Sequence, residues 1–345
     1  MDTQLSQRLL LLLAHAATYC HNNRAAALPL LREASALLWR INPDQPPLRP
    51  MALEDFLSRP ATEWLPEFVR GDYEGAFLAA GLPTVTCHEV AVEMDAKQIW
   101  DRIQSKVKDI RDRCRLKQHG DEQYRRFRQL LIEEPVITPM QVAPVFIPLS
   151  LQLDEFYEEI PAHLQIEGKI YRCPECRWPM HPLKQDVECI SAWCREKQSL
   201  YYRDGKKLLN RVNGIALDGE PAAGKKMLMA PFWKFTLLPG LLELSLAREI
   251  AALGLAVTLW PEVDRADLRV RIGTQDVEID AKVWSSPHQL AHHVNSTNRP
   301  ASQWIVIPDY QSMHIPLLRE LIISSISVYT QRDCIKELMR LANTF

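Results

Sequence analysis

Two aspartates and a lysine, Asp267, Asp280 and Lys282, stand in a segment whose pattern is otherwise that of a β-hairpin. DLRVRIGTQDVEIDAKVW alternates apolar and polar residues on either side of a GTQD turn. Leu268, Val270 and Ile272 share one face of the first strand, and Val277, Ile279, Ala281 and Val283 share one face of the second. Glu278, Asp280 and Lys282 therefore line the opposite face, successive ones about 7 Å apart. Asp267, at the head of the first strand, can approach Asp280 across the hairpin. Two close carboxylates repel each other, and a bound divalent cation removes that cost. Mg²⁺ or Mn²⁺ suits such oxygen ligands, and can polarise a phosphoryl oxygen and activate water for in-line attack. An ammonium such as Lys282 can orient that water or stabilise the pentavalent charge. The alternative is a solvent-exposed hairpin face on which Asp and Lys are merely polar.

A second chemistry is written in CPECRWPMHPLKQDVECISAWC. Cys173-x2-Cys176 and Cys189-x4-Cys194 are two close pairs joined by a loop of hairpin length. Four thiolates so arranged suit tetrahedral zinc, with His181 as a spare ligand. A small zinc ribbon has little core, so the metal would supply much of its folding free energy. Arg172, Arg177, Lys197 and Arg203 are among the basic residues around it, which favours a polyanion nearby. The other reading is four unrelated buried thiols.

These residues need elements to position them. PGLLELSLAREIAALG reads as a helix entered at Pro239–Gly240 and left at Gly254, carrying Glu243. LAVTLW is a strand and PEVDRAD a turn; a helix over 286–294 and the strand WIVIP follow the hairpin. Upstream, residues 1–45 have helical periodicity, and the apolar run Leu9 to Ala17 is a buried helix too short to span a bilayer. NPDQPPLRP is a loop, 61–80 is further helix, TVTCHEVAVEM alternates as a strand, 96–132 is helical, and EEPVITPMQVAPVFIPL is extended. The stretch Trp100 to Arg128 holds ten basic and five acidic residues with Trp100, Tyr124 and Phe127 interleaved. It suits either a phosphate backbone or a solvated face laced by i,i+4 ion pairs.

Other signals are weaker. GEPAAGKK lacks the Ser/Thr of a phosphate-binding loop, Lys226 standing in its place, and reads as a flexible basic loop. His288, His292 and His293 read as a helix-surface group. Trp233, Trp284 and Trp304 read as core. The net charge of −2 gives no global attraction to nucleic acid, and eight cysteines in 345 residues do not make a disulfide scaffold, which fits a reducing cytoplasm.

Glu243 on a helix, then Asp267, then Asp280-Ala-Lys282, with a helix and strand following, resembles the PD-(D/E)xK superfamily of the restriction-endonuclease fold. Ala266 replaces the proline usual before the first aspartate. The resemblance implies metal ligation by Asp267 and Asp280, a catalytic Lys282 and an outer acid at Glu243. Glu249, Asp264 and Glu278 are substitutes, and Gln303 and Gln311 are candidates for substrate placement. PG before the helix, the spacing of WPEVDRADLRV, and IDAK resemble the endonuclease found with a domain Y beside prokaryotic PIWI-RE proteins. That kinship covers about the last 110 residues. It implies defence against plasmids or phage, and as partners a PIWI-RE Argonaute-like protein and a DinG-like helicase.

The expectation is an α+β multidomain chain without a membrane segment: a helical domain over 1–160, a zinc ribbon over 161–212 and a nuclease over 213–345. It would cut DNA or an RNA–DNA hybrid with Mg²⁺ or Mn²⁺, use Zn²⁺ structurally and act in the cytoplasm, with a homodimer as one arrangement. A catalytically silent or partner-gated scaffold subunit is the competing reading.

Overall fold

The structure is a computed structural model. It describes all residues but 1–2, 21–22, 45–47, 72, 85–86, 89, 93–99, 184, 198, 206, 298–302, 324–325 and 344–345. The chain divides into two units, Met1–Ile99 with Cys189–Arg195, and Trp100–Glu188 with Glu196–Phe345.

In the first unit, α1 (Thr3–Cys20) packs on α2 (Arg24–Ile41), whose start is capped by the Asn23 side chain accepting from the Ala26 N–H. The run Leu9 to Ala14 is buried, with Leu31, Leu53 and Phe77 in the same core, as expected of a first helix. Two readings of this unit are corrected. Over 61–80, among the described residues, only the short turns Ala61–Glu63 and Glu67–Arg70 are helical, because Pro66 starts the second and Gly71, at φ +54°, ends it. A two-residue hairpin then pairs Leu78–Ala79 with Leu82–Pro83. Within TVTCHEVAVEM, the described residues Cys87, His88 and Val90 to Val92 are helical, not extended. The Thr84 hydroxyl accepts from the Cys87 N–H, and Cys87 and Ala91, one helical turn apart, are both buried. A cap and a four-residue burial spacing outweigh the β-propensity of the valines.

The second unit begins with a helical hairpin, α3 (Trp100–Arg115) and α4 (Gly120–Glu133). The proline-rich segment after it is extended only at Val136–Ile137, which pairs with Lys226–Met227, and from Pro139 to Leu149 it is α5, not extended chain. Pro139 opens the helix, Gln141 reaches back to the Thr138 N–H, and Val142, Phe146 and Leu149 face inward at helical spacing. Pro144 and Pro148 fall on the exposed side, where a carbonyl left without its intrahelical donor can turn to water. Next come the strands His181–Pro182, Asp186–Glu188, Leu200–Asp204, Lys207–Asn210 and Ala216–Leu217, an antiparallel meander in chain order. GEPAAGKK is an ordered turn between strands: Glu220–Pro221 pairs with Lys169–Ile170, and Lys225 and Lys226 are engaged by Glu220 and Glu159.

The helix carrying Glu243 starts earlier than Pro239. A turn at Ala230–Phe232 passes through a π-helical turn, Trp233–Leu237, into α6 (Leu238–Ala252). The widened turn absorbs the ring and missing N–H of Pro239. α6 leads into a mixed sheet ordered β1 (Ala256–Leu259), β2 (Leu268–Ile272), β3 (Gln275–Ala281), β4 (Gln303–Ile307) and β5 (Ser327–Thr330). The first two pairings are antiparallel and the last two parallel. α7 (Pro287–Ser296), capped by Ser286, connects β3 to β4, and α9 (Gln331–Ala342) follows β5, with the short α8 (Ile315–Leu321) between β4 and β5.

α4 and α6 touch at Gly240. A Cβ there would lie 2.3 Å from Ile132 Cδ1 and 2.4 Å from its Cγ1. Gly240→Ala is therefore expected to destabilise the chain by about 1–3 kcal/mol, although alanine is the better helix former. In an Ile132→Ala background, urea unfolding is expected to show the penalty shrink or reverse.

Candidate active site

β2 and β3 pair with Leu268 opposite Ile279 and Ile272 opposite Gln275, across a two-residue turn where Gly273 has φ +56°. One step beyond that register, Asp267 faces Asp280. The Asp267 Oδ2 accepts from the Ala281 N–H at 2.8 Å. Lys282 contacts the Asp280 carboxylate through its Nζ, which also stands 3.8 Å from Asp267 Oδ2. Three sequence-predicted residues thus converge at the head of the hairpin. They are not on a solvated face: Asp280 and Glu278 are each 7% exposed, because β3 is the middle strand of the sheet. The exposed-hairpin reading is thereby overturned.

Glu243 joins them from α6. It is 1% exposed, and Arg128 Nη2 lies 2.9 and 3.0 Å from its two oxygens. The Trp260 indole N–H also donates to it. The α4–α6 contact at Ile132 and Gly240 explains this meeting, since Arg128 is one turn before Ile132 and Glu243 about one turn after Gly240. The Arg128 guanidinium lies 5.6 Å from the Trp260 ring. Asp264 accepts from the Tyr124 hydroxyl at 2.6 Å. Arg128, Glu243 and Asp264 line one cavity of about 620 Å³ together with Asp267, Asp280 and Lys282, and Arg111, Arg265 and Gln303 also stand on its wall.

The electrostatics follow from burial. Desolvation, then the charges of Glu243 and Asp280, push the Asp267 carboxyl well above the usual carboxylate range. Burial also raises Glu243, against the pull of Arg128 and the Trp260 hydrogen bond. An opposite charge placed among these oxygens relieves both effects, so the donor set of Asp267 and Asp280 fits a hard divalent cation.

The remaining candidates separate. Glu278 lines the cavity but is bound by Arg269 at 3.2 Å. Glu249 is exposed and bonds Ser245. Gln311 donates to the Trp284 carbonyl and is structural. His288 and His292 are exposed on α7, while His293 stacks on Trp284. Trp233, Trp284 and Trp304 are buried. The basic stretch also resolves: Tyr124 and Phe127 are buried, so neither offers a base a stacking face. Arg125 and Arg126 pair with Asp121 and Glu122 one turn away. The side chain of Trp100 lies outside the described residues. Arg111, Tyr124 and Arg128 were legible in sequence only as members of a basic, aromatic stretch and Trp260 not at all, because nothing in spacing links α3 and α4 to a helix more than a hundred residues later.

Cys173, Cys176, Cys189 and Cys194 are all buried, and their sulfurs lie within 4.8 Å of one another. None is in a disulfide. Four sulfurs on one tetrahedral zinc stand about 3.8 Å apart, so this cluster fits the ion. The surrounding cations are partly spent within the protein: Arg172 engages Glu220, Arg177 donates to the Glu133 carbonyl at 3.1 Å, and Lys197 lies 3.5 Å from Glu175. Lys206 is outside the described residues. No helix among the described residues is long and apolar enough to cross a membrane.

Two family matches cover separate parts of the chain. Residues 34–138 match the pPIWI_RE three-gene island domain Y, and residues 240–340 match the REase associating with pPIWI_RE. No curated protein and no solved structure matches.

Two outcomes are expected. Elemental analysis should find one zinc per chain, and Cys176→Ser should lose the metal and unfold at lower denaturant. Arg128→Ala should cost about 3–5 kcal/mol in urea unfolding, since it leaves a buried carboxylate without its counter-charge, and Glu243→Gln should cost less.

Proposed function

Since the chain is the domain Y and REase protein of the pPIWI_RE island, we propose that it is a metal-dependent nuclease cutting the phosphodiester backbone of DNA or an RNA–DNA hybrid. The observation that carries this reading is the convergence of Asp267, Asp280 and Lys282 in one cavity at the head of the β2–β3 hairpin. We take the nuclease to extend over 213–345, the ribbon over 161–212 and a helical domain over 1–160.

In this reading Asp267 and Asp280 hold Mg²⁺ or Mn²⁺. When bound, that ion polarises the scissile phosphoryl oxygen and makes its water more acidic. Lys282, tethered by Asp280, keeps an ammonium beside the phosphate, where it orients the attacking water and stabilises the charge that builds on the phosphoryl oxygens. The Ala281 N–H fixes the Asp267 carboxylate, and Glu243 stands behind as an outer acid. Gln303 and Arg111, on the cavity wall, offer donors to the backbone being cut. Zn²⁺ at the four cysteines folds the ribbon. The island's name supports a PIWI-RE Argonaute-like protein as partner, and a DinG-like helicase would supply opened strands. A homodimer would allow both strands of a duplex to be cut. The setting is cytoplasmic defence against plasmids and phage.

The test is cleavage of supercoiled plasmid, linear duplex, single strand and RNA–DNA hybrid, with Mg²⁺ or Mn²⁺ and with EDTA, alone and with the island's other proteins. Cutting that needs the metal and falls by at least about 10²-fold in Asp280→Ala and Lys282→Ala supports the nuclease. Wild type that cuts nothing under any of these conditions makes the chain a silent subunit and ends the proposal.

A further inference from the structure

Both oxygens of Glu243 are taken by donors from the protein itself. Arg128 Nη2 spans Oε1 and Oε2 at 2.9 and 3.0 Å, and the Trp260 indole donates to Oε2. Neither partner can step aside cheaply. Arg128 is 7% exposed and Glu243 1%. Trp260 is 3% exposed and held in left-handed backbone at φ +46°, its N–H bonded to the Asp267 carbonyl at 2.9 Å. Asp267 and Asp280 are held differently: Asp267 Oδ2 accepts from the Ala281 N–H and stands 3.8 Å from Lys282 Nζ, and Asp280 contacts the same Nζ, which ends a long side chain with several rotatable bonds.

We propose that Arg128 stands in place of a second metal ion, so that the nuclease holds a single divalent cation on Asp267 and Asp280 and none on Glu243. The inference rests on the nuclease reading above. Charge supports it. The cavity wall carries five carboxylates and, with Arg128 and Lys282 among them, four cations, so a single divalent ion already outweighs the one net negative charge that remains. A second would leave the wall with three net positive charges. The fixed cation comes from α4, within the residues that match domain Y and outside those that match the REase. Arg128 is thus a positioning residue: it fixes Glu243 and Trp260, and through Trp260 the turn that presents Asp267.

The test counts ions rather than turnover. Zinc-loaded full-length chain is titrated with Mn²⁺ and the free ion followed by electron paramagnetic resonance, beside Asp280→Asn and Glu243→Gln. Glu243→Gln preserves shape and keeps one acceptor oxygen for Arg128 and Trp260, and circular dichroism with urea unfolding checks that the variant is folded before it is titrated. One Mn²⁺ site that disappears in Asp280→Asn is expected, with Glu243→Gln binding within about twofold of wild type, whereas loss of a ligand or its close support costs about tenfold or more. Two sites lost in Asp280→Asn, or a tenfold weaker Glu243→Gln, overturns the single-ion assignment and leaves the nuclease standing. No Mn²⁺ site in the wild type overturns the metal reading itself, and the assignment with it.

Discussion

The ion pair between Arg128 and Glu243 is the interaction on which the candidate site depends. A carboxylate 1% exposed, close to two further aspartates, is costly to keep in a protein interior unless a cation and a donor meet it directly. Arg128 and Trp260 meet it. The pair can form because Gly240 lets α6 approach Ile132 of α4, which brings the two side chains into line one turn along each helix. A small residue at a helix crossing, a buried salt bridge and the placement of an acid beside a hairpin are one chain of cause.

The same helical hairpin holds the turn that delivers Asp267. Trp260, Glu262, Val263 and Asp264 all have positive φ, and for a β-branched valine that is a genuine outlier. Such backbone persists only where its surroundings over-determine it. Here they do: Asp121 accepts from the Val263 N–H at 3.0 Å, Arg115 reaches the Val263 carbonyl, and Tyr124 bonds Asp264. The strain lies between β1 and β2, where the chain must reverse within a few residues and still present Asp267 to Asp280.

What could be read from sequence was what local period and propensity control. The β2–β3 hairpin, α7 and β4 followed from alternation, a Gly-containing turn and a Pro start, and with the strands came the facing of Asp267, Asp280 and Lys282. Four cysteines at knuckle spacing foretold the buried cluster. The failures share a cause. TVTCHEVAVEM alternates, but its Thr84 cap and the core beneath Cys87 and Ala91 favour helix. The prolines of α5 read as breakers, yet they sit at its first position and on its solvent side. Arg128 looked like one more cation in a basic stretch. Its burial is decided by a helix crossing that no single-sequence pattern encodes.

The two family matches meet in this site, although they are separate along the chain. The domain Y match runs to residue 138 and so includes Arg111, Tyr124 and Arg128, while the REase match supplies Glu243, Asp267, Asp280 and Lys282. Without α4, the segment 240–340 would bury Glu243 with no counter-charge and leave its left-handed turn without Asp121 or Tyr124 to hold it. A cavity wall shared in this way ties the geometry around Asp267 to the packing of α3 and α4. Anything that displaced that hairpin would act on the acids without touching them, because the charge that stabilises Glu243 and the hydrogen bonds that fix the turn would leave together.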